Sequence, residues 1–176
     1  MCIDQEPFGK LIPRLLRQAG IREALSEAFA SEGLEILDML DRGQDLPADT
    51  AEQVREVILE ALSSGGQTIL ALGWDSEIPG GDGAIWITES AGVYLVSSSD
   101  YEDQGPFETL DEALDCECFS VTTSNPSVES RVLPLDALLS IARRVVDWEN
   151  EGSVWINNEE YVASGEELRR ANQEGP

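Results

Sequence analysis

Between Arg55 and Arg131 the chain has no Lys or Arg, and it places fifteen carboxylates in that interval, from Glu56 to Glu129. A folded surface normally interleaves both signs of charge. A long one-signed run inside otherwise globular sequence therefore implies a face of strong negative potential. Such a face attracts cationic partners, repels nucleic acid and acidic membranes, and speeds encounter with basic proteins. It defines a class of partner rather than a reaction.

The periodicity on either side of this run predicts two kinds of structure. Residues 1–66 read as helical. Pro13 and Gly20 have the spacing of a short helix with Pro at its start and Gly past its end, and residues 21–30 and 34–40 continue in helical period. Over 50–63, Thr50 and Gln53 have capping-box spacing, Val54, Ile58 and Leu62 share a face, and Gly65-Gly66 ends the run. Six of the eleven basic residues lie in this part: Lys10, Arg14, Arg17, Arg22, Arg42 and Arg55.

From Gln67 the pattern changes. Residues 68–72 read as a buried strand, 75–83 as a loop, and 84–88 and 93–97 as a hairpin. Thr109 and Glu112 open a capped helix. Residues 119–123 and 130–133 are expected to be strands, and 135–149 an amphipathic helix. Gly83-Ala84-Ile85-Trp86-Ile87 is echoed by Gly152-Ser153-Val154-Trp155-Ile156, and each is followed by a second aromatic strand and a short acidic helix, the later one from Ser164. Two hairpin-plus-helix units suggest a duplicated or pseudo-symmetric sheet, with Trp86 and Trp155 expected in the core. The fold class is therefore α+β: N-terminal helices, then a mostly antiparallel sheet and one long amphipathic helix. The organisation expected is a helical region over 1–66, an α+β core over 67–168 and a frayed tail over 169–176, forming one compact domain.

Composition narrows the chemistry. An apolar fraction of 41% and four Trp argue for a packed core, whereas the formal charge of −24 is extreme for 176 residues. Histidine is absent, which removes Ser-His-Asp and Cys-His catalysis, His-ligated zinc and an imidazole base. Cys2, Cys116 and Cys118 form neither a disulfide framework nor a zinc-ligand spacing, and read as reduced thiols in a cytoplasmic protein. No cofactor is implied. Carboxylate pairs can hydrolyse glycosides without His, but no pair is singled out by its surroundings. The absence of a charged-then-apolar leader and of a long apolar run predicts neither export nor a membrane span.

Two acidic loops hold the candidate site residues. Asp75, Glu77 and Asp82 stand in a Gly-rich loop that lacks the phosphate-binding pattern. Around the second loop, 100–108, Tyr94, Tyr101 and Phe107 are mixed with Asp100, Glu102, Asp103, Glu108, Asp111 and Glu112. Aromatic anchors with surrounding carboxylates suit docking of Arg and Lys. Counted from Asp100, donors at Glu102, Gln104, Glu108 and Asp111 partly follow a calcium-loop spacing. Asp100, Glu102 and Asp111 are accordingly the metal candidates, set against an acidic turn that leads into a capped helix.

In size, acidity and α+β pattern over 67–168 the chain resembles small bacterial immunity or inhibitor proteins. That resemblance implies a compact, acidic, non-enzymatic module covering the cationic site of a basic partner, often a nuclease. A nucleic-acid mimic that blocks a DNA-binding or defence protein is the close variant. The alternative is a housekeeping or scaffold domain whose charge serves solubility or a salty cytoplasm.

Overall fold

The computed structural model describes residues 5–74, 83–99, 103–116, 126–146, 148, 152–164 and 167–171. These residues form an eight-stranded, mostly antiparallel sheet with helices on both faces, an α+β arrangement. Four helices come first: α1 (Gln5–Leu15), α2 (Ala19–Ala28), α3 (Gly33–Asp41) and α4 (Ala48–Gly65). Pro13 lies in the last turn of α1 rather than at a helix start. Helix α4 begins directly after Pro47, whose extended backbone (ψ 144°) sets the entry, so Thr50 falls inside the helix and does not cap it. Gly33 allows α3 to start against α2, because a Cβ there would sit 2.9 Å from the Ser26 backbone.

The sheet follows: β1 (Gln67–Trp74), β2 (Gly83–Ser90), β3 (Val93–Ser98) and β4 (Gln104–Phe107) form a meander. Helix α5 (Leu110–Leu114), β5 (Ser127–Glu129), α6 (Leu135–Val145), β6 (Ser153–Ile156), β7 (Glu159–Ser164) and β8 (Glu167–Arg170) complete the chain. The strand order is β4-β3-β2-β1-β5-β6-β7-β8, so β5 returns to the free edge of β1. The pair β5–β6 is parallel, and α6 connects those two strands as a parallel crossover requires. The β2–β3 and β6–β7 turns each have two central residues with positive φ, Ala91-Gly92 and Asn157-Asn158. That geometry matches the twist of the strands they join.

Strand alternation divides the sheet into two environments. On one face Leu72, Ile85, Ile87, Val96, Val128, Val154, Ile156 and Tyr161 pack with Leu138, Ile141, Ala142 and Val145 of α6 and with Ala113 and Leu114 of α5. On the other face Val93 and Leu95 of β3 pack beneath Leu11, Leu15, Leu25, Ile36, Val54, Ile58 and Leu62 of the helical layer. Trp74 reaches across Gly83, where an added Cβ would collide with the indole at 2.1 Å. A register shift between Thr68 and Leu70 buries Ile69 and Leu70 together.

Further expectations are corrected. The strand expected at 130–133 ends at Glu129, because the Ser130 hydroxyl accepts from the Val132 and Leu133 N–H groups and donates to the Ile69 carbonyl, curling the chain out of the sheet. The acidic helix expected from Ser164 is instead β8, paired antiparallel with β7. The unpaired edge of β7 offers four residues a ladder, while an isolated helix of that length lacks a stable nucleus. The two units are therefore not equivalent. Moreover, β2 runs antiparallel to β1 whereas β6 runs parallel to β5, so the palindromic strand order is not a symmetry. Finally, Trp86 and Trp155 are not in the core: they are 38% and 45% exposed. The strand expected at 119–123 lies outside the described residues.

Candidate functional site

Strand ends from both halves of the sheet line up at one end. Register places the end of β1 (Trp74) beside the start of β2 (Gly83), with Ser99 donating its N–H to the Ala84 carbonyl at 3.0 Å. Ser127 pairs with Gly73, and Ser153 lies beyond the Ser127–Trp155 pair. Trp74, Gly83, Ser99, Pro126 and Gly152 therefore stand at the same end of the sheet, together with the Ser164–Glu167 pair. In the sequence, segments 75–82, 100–102, 117–125, 147–151 and 165–166 adjoin those ends. They carry Asp75, Glu77, Asp82, Asp100, Glu102, Glu117, Asp147, Glu149, Glu151 and Glu166, and no Lys or Arg. Asp75, Glu77, Asp82, Asp100, Tyr101 and Glu102 lie outside the described residues.

The remaining candidates fall along β3, β4 and α5. Tyr94 and Phe107 are cross-strand partners, half-buried against the larger core, so each offers only part of its ring to a partner. Asp103 is exposed and accepts from the Ser63 hydroxyl at 3.2 Å. Glu112 completes a capping box: its N–H donates to the Thr109 hydroxyl, and its carboxylate accepts from the Thr109 and Glu108 N–H groups. Glu108 itself is exposed. Asp111 lies 3.0 Å from the Arg144 guanidinium, which also bonds Asp115. The hydrogen bond to Asp115 holds Arg144 above the ordinary guanidinium range, against the opposing effect of desolvation.

This pairing had no signal in the local sequence, since Arg144 arrives on α6 from 33 residues away. Residues 55–131 thus receive a cation from outside the run. As for the calcium-loop spacing, Gln104 is in β4 and accepts from the buried Cys116 thiol at 2.6 Å, while Asp111 is turned to Arg144. Asp100 and Glu102 of that spacing lie outside the described residues, and no metal-holding group of three His, Cys, Asp or Glu occurs among the described ones.

Two further surfaces were not anticipated. An open groove of about 840 Å³ lies between α2, α4 and the β2–β3 turn, with Ala24, Ala28, Val57 and Ala61 along it and Glu27 and Glu60 beside them. Trp86, on β2 at the margin of the helical layer, and Trp155, on β6 beyond it, share the sheet face opposite the larger core. The alternation Ile-Trp-Ile and Val-Trp-Ile contains that signal, because neighbours on a strand point to opposite faces.

The chain matches no protein-family model, no curated protein and no solved structure. Its class rests on its own fold: an acidic α+β protein with an eight-stranded sheet. Among the described residues no helix is long and apolar enough to cross a membrane.

Proposed function

We propose that the protein is a non-enzymatic binding module that docks a basic protein surface, acting as an inhibitor or immunity-type partner. The supporting observation is the gathering of strand ends flanked by ten carboxylates and no cation in the sequence. Like charges near one another raise the local potential and accelerate encounter with a cationic protein. On docking, Asp75, Glu77, Asp82, Asp100, Glu102 and Asp103 meet Arg and Lys of the partner, with Tyr101, Tyr94, Phe107, Glu108, Asp111 and Glu112 at the margin. If the partner is a nuclease or DNA-binding protein, these carboxylates occupy positions that substrate phosphates would take. The setting for this activity is the cytoplasm.

Affinity capture from nuclease-treated lysate at low salt, followed by a salt step, tests the reading. The expected result is one basic protein, stoichiometric with the bait and released by salt. An empty or indiscriminate eluate would make the acidity a surface adaptation and remove the proposal.

A further inference from the structure

We propose that the sheet face running from Trp86 on β2 to Trp155 on β6 is the seat for an arginine-rich segment of the partner, its guanidinium groups stacked on the two indoles. This rests on the reading that the partner is basic, and it names a contact surface that adjoins the acidic strand ends on one face of the sheet.

The two tryptophans stand on one face. Trp86 is paired through Ala71 to Glu129, and Trp155 is paired directly with Glu160, so each indole shares a cross-strand row with a carboxylate. The rows are two residues apart along the strands, and the indoles are separated by three strand spacings. Sheet geometry therefore sets them about 16 Å apart, which about five residues of extended chain would span. Between them the floor is low: Ala71 and Gly73 lie on β1, and a Cβ at Gly73 would sit 2.8 Å from the Ser127 hydroxyl. The helical layer packs on Val93 and Leu95 of β3, and α4 also touches β2, while α5 and α6 pack on the opposite face; among the described residues the core beneath the helical layer includes no residue of β1 or of β5 to β8.

An indole beside a carboxylate, as Trp155 is beside Glu160, suits a guanidinium in particular, whereas Glu129 stands two strands from Trp86, across Ala71. The planar cation stacks on the ring while its N–H groups donate to the carboxylate. An ammonium makes the second contact without the planar stacking. Charge selects the occupant. A second copy would bring its own −24 and set Glu129 and Glu160 against like residues. Arg169, on β8, lies 4.0 Å from Glu167, and among the described residues no ion pair is formed by Glu129 or Glu160.

Calorimetric titration with octa-arginine and octa-lysine at low salt tests the seat, since the two peptides carry equal charge. The wild-type protein is expected to bind octa-arginine about tenfold more tightly. In the double variant Trp86→Ala/Trp155→Ala, checked for folding by circular dichroism, the preference should fall to about twofold or less, with octa-lysine affinity unchanged. Independently, Glu129→Gln/Glu160→Gln should weaken octa-arginine binding about fivefold. Equal wild-type affinities, or a preference that survives the tryptophan changes, would overturn the seat while leaving the basic-partner reading standing. Failure of both peptides to bind would overturn both. A wild-type dimer in sedimentation that the double variant dissociates would assign the face to self-association instead.

Discussion

Arg22 reaches from α2 to Asp41 at the end of α3 with two parallel hydrogen bonds, both 2.9 Å. The bond from Arg22 lowers the Asp41 pKa from its usual 3.8 and outweighs the small effect of burial. A carboxyl whose folded pKa is depressed contributes stability above its unfolded value and loses it as pH falls through the folded one. The Tm of Asp41→Asn should therefore lie below that of wild type at pH 7, and the gap should close as pH drops below 3.8. Thermal melts across pH 7 to 2 check this, and a gap independent of pH would show that the bidentate bond does not act through the charge. The same residue scale shows what was hidden in the sequence. Nothing local marks Asp41 or Asp111 as paired, because their arginines are 19 and 33 residues away. Trp86 and Trp155 were legible by alternation, but their size argued for the core and concealed it.

At the scale of elements, those with self-contained chemistry were legible. The Thr109–Glu112 box forms as its spacing predicts, and it satisfies N–H groups at the start of α5. Thr109→Ala should cost about 1 kcal/mol in a urea titration, with Thr109→Ser retaining most of it. No loss on Thr109→Ala would mean that the five-residue helix is held by Ala113 and Leu114 in the core rather than by its cap. The β2–β3 hairpin was likewise legible from its turn, to which α1 adds a bond of 2.8 Å from Arg14 to the Gly92 carbonyl. Elements decided by distant partners were not. The four residues of β8 carry helix-like spacing and become a strand because β7 presents an open edge. The end of β5 depends on Ser130 meeting the Ile69 carbonyl, a contact 61 residues apart. The parallel β5–β6 pair follows from the crossover through α6, and a local pattern of strands does not specify direction.

Across the whole molecule, the α+β class was legible because long helical periods precede short alternating segments, and the sheet bears that out. The strand order was not legible, since the sequence contains nothing that says β5 returns to β1. That return aligns strand ends from both halves of the sheet and gives the acidic segments a shared end to adjoin. The central claim is that this location, rather than net charge alone, recruits the partner. The most direct test compares two variants with equal charge change, by measuring association rates with the captured partner at low salt. Asp100, Glu102 and Asp103→Lys should slow association about tenfold, whereas Glu23, Glu32 and Glu35→Lys on the helical layer should slow it about twofold or less. Equal slowing by both variants would contradict the claim and leave only the overall charge of the protein at work.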